Sequence, residues 1–180
     1  RVTTEQVNGV WQGACYPFRE GLSTGIMHVE FSPKGQLIVG GFTTNRQWPV
    51  RGTEPFAIQR IDWSGVVPFE IREINIRKDG FLVTFTKPVD RDIASGTEAY
   101  IVTTYTHNYA AGYGSPEVDH TTPKVIRAVP SADGLSVMVH LDKTTEGHIH
   151  DFDLAGMVSR DGEHLLHTKA YYTVNEIPDH

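Results

Sequence analysis

Chemistry-bearing side chains are densest in the run His148–Ile149–His150–Asp151–Phe152–Asp153. In an extended strand successive side chains alternate, so His148, His150 and Phe152 share one face while Ile149, Asp151 and Asp153 share the other. Two imidazoles about 7 Å apart on one face have the spacing of a shared divalent metal. A third donor would come from across the sheet, from His140, His164 or His167. Phe152 on the histidine face marks that face as partly core. Asp151 or Asp153 would orient an imidazole only from a twisted or bulged strand. The pattern favours a structural pair, with His148 and His150 as the ligands if a metal binds.

A second concentration is aromatic. Tyr105, His107, Tyr109 and Tyr113, preceded by Tyr100, lead into Gly114–Ser115–Pro116. Rings beside a Gly-rich loop stack on sugars or protein partners, and the same rings also pack loops over cores with their hydroxyls bonded to backbone. Tyr105, His107, Tyr109 and Tyr113 are the ligand-binding candidates. No catalytic set emerges. Glu70, Glu73, Glu98, Glu117, Asp119 and Asp153 each have a turn or surface explanation, where glycoside hydrolysis needs two carboxylates in a cleft. Ser115 lacks a nucleophile-elbow context, Cys15 sits in an apolar strand, and no glycine loop cradles a phosphate before a helix.

Composition sets the frame for these residues. The chain has 180 residues, 39% hydrophobic and 21% charged, with 17 Gly and 10 Pro spread along it. This is a globular composition rich in turns. The net charge is −6 and the 16 Lys and Arg are scattered singly, which excludes the basic patch of a nucleic-acid binder. No run approaches the roughly 18 apolar residues of a membrane-spanning helix. A single cysteine excludes an internal disulfide, a CxxCH haem site and a cysteine zinc site, so no cofactor is expected in this chain.

Alternating strands must carry the candidate residues. Val10–Tyr16, Ile26–Phe31, the turn Ser32–Pro33–Lys34–Gly35, Gln36–Gly41 and Ala57–Trp63 read as one small antiparallel sheet, the content of a β-propeller blade. Ser64–Pro68 reads as a linker. Beyond it, seven strands joined by Asp-Gly turns predict an immunoglobulin-like sandwich. Ile71, Ile76, Leu82, Phe85, Val102, Val125, Val137, Val139, Leu154 and Val174 are its expected core. The expected fold is therefore all-β, a single blade-like sheet over residues 1–64 followed by an immunoglobulin-like β-sandwich over 65–180.

Several of these stretches carry a family resemblance. Gly13–Phe18, Phe31–Gly35 with Val39–Gly41, and Pro55–Arg60 with Trp63 resemble the last propeller blade of large secreted bacterial proteins similar to pyrroloquinoline-quinone-dependent sugar dehydrogenases. Pro68–Ile71, Thr84–Asp90, Tyr113–Glu117, Leu165–His167 and Ala170–Asn175 resemble the segment that follows the propeller there. The resemblance implies a periplasmic or secreted parent using PQQ and often haem c. It implies, as partners, the remaining propeller or a cytochrome domain. The quinone-binding loops and CxxCH are absent from this chain, so the resemblance implies a non-catalytic C-terminal module with a structural or docking role. The alternative from the residues alone is an independent glycan- or protein-binding sandwich using the Tyr-rich loop; a third is a metal-binding accessory domain.

Overall fold

The structure, a computed structural model, describes residues 1–42, 54–112 and 114–179. It is all-β: three antiparallel sheets, with one short helix and one 3₁₀ turn among the described residues. Two compact units divide the chain, one made of Arg1–Pro17 with Pro68–His180 and the other of Phe18–Val67.

The first unit is a sandwich. Its six-stranded sheet runs in the order β1 (Val2–Val7), β2 (Val10–Cys15), β13 (Lys169–Thr173), β12 (Ile149–Asp153), β8 (Ile101–His107) and β9 (Glu117–Thr121). Its four-stranded sheet runs β10 (Val125–Pro130), β11 (Ser136–Leu141), β7 (Gly80–Phe85) and β6 (Ile71–Arg77). The inward side chains of the two sheets meet around Phe81, whose ring lies 5.0 Å from Phe152 and 5.2 Å from Tyr172, centroid to centroid. Phe69 stacks on Phe85 at 5.6 Å to close one end.

The N-terminal hairpin belongs to this sandwich, which corrects the expected domain boundary. The expected boundary puts all of residues 1–64 in the blade-like segment. Instead, Asn8 and Gly9 adopt the paired left-handed conformations of a type I′ turn, and β2 pairs with β13 from Tyr171↔Cys15 to Thr173↔Gly13. Buried Gln12 fixes this arrangement. Its amide nitrogen donates to the Glu176 carbonyl at 3.0 Å, and its oxygen accepts the N–H groups of Asn175 and Glu176 at 2.9 and 2.8 Å. Glu5 adds a link between the sheets by accepting from the Ile76 N–H and the Tyr172 hydroxyl, both at 2.7 Å.

Most of the expected core is buried, with two exceptions. Leu82 and Val125 are only partly buried, while Phe81 and Val83 are fully enclosed. Alternation explains this, because Leu82 and Phe85 are an odd number of residues apart and cannot share a face. Gly80 shows how closely the four-stranded sheet is built. A Cβ there would lie 2.0 Å from the Val139 carbonyl oxygen, and φ is +151°. Gly80→Ala should therefore lower stability by about 2–3 kcal/mol in equilibrium unfolding, since overpacked sites relax only by backbone shifts. A change below about 0.5 kcal/mol would contradict the tight register at this position.

The second unit is a sheet of β3 (Ile26–Phe31), β4 (Leu37–Phe42) and β5 (Phe56–Ile61) in that order. The turn expected at Ser32–Gly35 forms, with the Gly35 N–H on the Ser32 carbonyl at 2.9 Å. In chain order this sheet is inserted between β2 and β6 of the sandwich.

Candidate functional site

His148 and His150 both face the sandwich interior. Burial by the facing sheet sets their chemistry. His148 Nδ1 lies 3.2 Å from Thr104 Oγ1, and its Nε2 lies 3.2 Å from a carboxylate oxygen of Asp119. Thr104 Oγ1 is also 2.7 Å from Thr121 Oγ1, so a short polar chain ties β8, β9 and His148 together. Asp119 reaches the ring from an irregular register in β9, with φ at +56°. Asp and Asn tolerate this conformation better than other non-glycine residues. Both nitrogens of His148 are engaged, which leaves no lone pair for a metal in this arrangement.

His150 is fully buried, with its ring 5.2 Å from Phe81. Its Nε2 accepts the Thr145 N–H at 3.5 Å, and its Nδ1 has no hydrogen-bond partner among the described residues. Burial, opposed by the His148 backbone and aided by the His148 ring, pushes its pKa down from 6.5 to about 4. Among the described residues no three His, Cys, Asp or Glu side chains are grouped to hold a metal. Two of the histidines considered as completing ligands are paired elsewhere, His140 with Asp79 at 2.7 Å and His167 with Glu70 at 2.5 Å.

The aromatic candidates divide. Tyr105 and His107 stand on the outer face of the six-stranded sheet, ring centroids 5.5 Å apart. Tyr109 is fully exposed in the following loop, and Tyr113 lies outside the described residues. Tyr100 is buried, donating its hydroxyl to the Ala94 carbonyl at 2.8 Å, and takes no part in a surface cluster. Tyr105 instead gains His120, from β9, at 5.6 Å and an interplanar angle of 32°. Burial first, then the carboxylates of Glu117 and Asp151 and the phenol of Tyr171, push the Tyr105 pKa up. Asp151, opposite Tyr171 in the pairing of β12 with β13, shares the outer face with Asp153, and Lys169 reaches one oxygen of each at 3.4 Å. Exposed Cys15 is opposite Tyr171 on β2.

The sequence reading therefore found two members of this face, Tyr105 and His107, and missed His120 and Tyr171. Tyr171 was legible, because Ala170 and Tyr172 alternate with it as core positions. His120 was not, because the irregular register of β9 decides which way it points.

No family model matches the chain, and no curated protein matches it. Two solved structures of a surface-layer protein are similar to part of it. For surface layer protein SbsC, domains 1–6, the TM-score is 0.46 at 19% identity, over 63% of this chain and 14% of that one. For the crystal structure of the S-layer protein rSbsC(31-844), the TM-score is 0.45 at 21% identity, over 60% of this chain. This chain spans 14% of that second structure as well.

Proposed function

We propose that the chain is a non-catalytic module of a larger periplasmic or secreted quinoprotein-like, sugar-dehydrogenase-like oxidoreductase. In this reading the three-stranded sheet docks between neighbouring antiparallel sheets of the parent. Any quinone or haem c belongs to that parent.

One observation carries the docking role: the sheet presents exposed apolar side chains on both of its faces. The register puts Val29, Phe31, Leu37, Val39 and Ile61 on one face. It puts Ile38, Phe42, Phe56 and Ile58 on the other, together with His28, Glu30 and Arg60. Phe31 is 72% exposed, Phe56 77% and Ile58 84%, while Val39 is the one strand residue of this sheet that is buried. An antiparallel sheet with one solvated face alternates apolar and polar residues, whereas a sheet covered on both faces is apolar on both. Sheets arranged radially, each with a neighbour on either side, meet that requirement. Large apolar side chains left exposed in such numbers on one small sheet mark an interaction site.

Phe31→Asp and Ile58→Asp test the two faces separately. Each should leave sandwich stability within about 0.5 kcal/mol of wild type, as exposed positions do. Each should also reduce binding of a hydrophobic dye and concentration-dependent self-association, read by fluorescence and sedimentation velocity. A wild-type chain that neither binds dye nor associates would remove the docking role. The oxidoreductase reading is tested by the coding region around this chain, which should encode further sheet-forming repeats of the Phe-x-Pro-x-Gly type.

A further inference from the structure

We propose that the outer face of the six-stranded sheet is a binding platform for an uncharged polysaccharide strand, built on Tyr105 and Tyr171. This site is separate from the three-stranded sheet and does not depend on the docking role.

A pyranose ring is amphipathic, with apolar C–H faces and hydroxyl groups around its edge. A surface that holds it needs ring plates for the faces, and both acceptors and donors beside them for the hydroxyls. The outer sheet face carries all three. Tyr105 is held between His107, perpendicular to it at 5.5 Å, and His120, tilted by 32° at 5.6 Å, which limits the orientations its ring must lose on binding. Tyr171 stands two strands away, because β13 pairs with β12 and β12 pairs with β8. Ile149 is opposite Tyr105 and Asp151 is opposite Tyr171, so the two rings are offset by two residues along the strands. At about 4.8 Å between strands and about 3.4 Å per residue, the two Cα positions stand roughly 12 Å apart, and the side chains rise from them on the same face, room for an extended chain to rest on both rings.

Asp151 and Lys169 supply the polar edge. Lys169 Nζ sits 3.4 Å from one oxygen each of Asp151 and Asp153. Charge-assisted bonds that close tightly measure about 2.7–2.9 Å, so the ammonium bridges the carboxylates without saturating either. Acceptors and donors both remain for hydroxyl groups, and Lys169 offsets one of the two carboxylates. The carboxylate left over would repel an anionic glycan, which narrows a sugar ligand to an uncharged one; a cationic peptide is the competing class that the test separates.

The test is affinity electrophoresis of the intact chain in gels containing soluble β-glucan, mannan, xylan or galactan. Poly-lysine is the competing ligand of the other class, followed by fluorescence anisotropy. Wild type should be retarded in at least one neutral polysaccharide. Tyr105→Ala and Tyr171→Ala should each weaken that retardation at least tenfold, with unchanged circular dichroism and thermal midpoint. Asp151→Asn should weaken it less. Tyr109→Ala, in the loop off this face, should leave it as in wild type. Lack of retardation in all four gels would overturn the proposal. So would retardation that both tyrosine variants retain, or binding to poly-lysine alone.

Discussion

Replacing Phe81 by alanine should cost the sandwich about 3–5 kcal/mol, the range for deleting a fully buried aromatic from a core. Phe81 is completely enclosed on β7, where its backbone pairs with Val139 on β11 and Ile76 on β6. Its ring contacts Phe152 edge-on and Tyr172 at a steep tilt, both on the opposing sheet, and lies over His150. Deleting it removes an aromatic link between the layers and leaves a cavity bounded by rigid rings that cannot collapse into it. Total stability for a domain of this size is typically about 5–15 kcal/mol, so the loss should be visible as a large fall in the urea midpoint at unchanged slope. A loss under about 1 kcal/mol would mean that the two sheets are not held together at this ring. Leu82→Ala is the neighbouring control. Leu82 faces the other side of the same strand and is only partly buried, so its deletion should cost distinctly less.

The second large effect is acid lability at His150. Burial holds this imidazole neutral until the pH falls to about 4, whereas in the unfolded chain it takes a proton near pH 6.5. As pH falls below 6.5 the unfolded state binds the proton first. The contribution is therefore intact above about pH 6.5, is lost progressively between 6.5 and 4, and levels off below 4. The full gap corresponds to about 3 kcal/mol. His150→Phe keeps a ring against Phe81 and removes the titrating group together with the unpartnered Nδ1. It gives up the 3.5 Å contact from the Thr145 N–H and the polar contact of the ring with the His148 backbone. The variant should be at least as stable as wild type at pH 7 and should lose this part of the slope between pH 6.5 and 4, measured by urea unfolding across pH. Identical slopes in the two proteins would place the acid sensitivity elsewhere.

Much of this arrangement was legible in the sequence because alternation and turn chemistry are local. The Asp79–Gly80 and Asp133–Gly134 turns and the apolar phase of Val137 and Val139 led directly to the four strands of their sheet. His150 and Phe152 on one face, with Asp151 and Asp153 on the other, followed from the same period of two. The N-terminal hairpin was missed, although Val7–Asn8–Gly9–Val10 is a strong two-residue hairpin signal. Its placement was harder still, because nothing local says that β2 pairs with β13, more than 150 residues away. The helix Arg91–Ser95 was also missed; five residues are too few to show a period, and Asp90, whose carboxylate accepts the N–H groups of Asp92 and Ile93, was its only signal. The irregular register of β9, which aims Asp119 at His148 and His120 at Tyr105, depends on neighbours that only the folded sheet supplies.

Hydrogen exchange on the dilute, intact chain tests the docking reading most directly. A small sheet gains little stability from apolar side chains left in water, and this sheet exposes Val29 and Phe31 on one face and Phe42, Phe56 and Ile58 on the other. Its amides in Ile26–Phe31, Leu37–Phe42 and Phe56–Ile61 should exchange through local opening that costs at most about 2 kcal/mol. Phe81, Val83, Val137 and Val139 should exchange only through global unfolding. Equal protection of the two sets in a strictly monomeric chain would contradict the account.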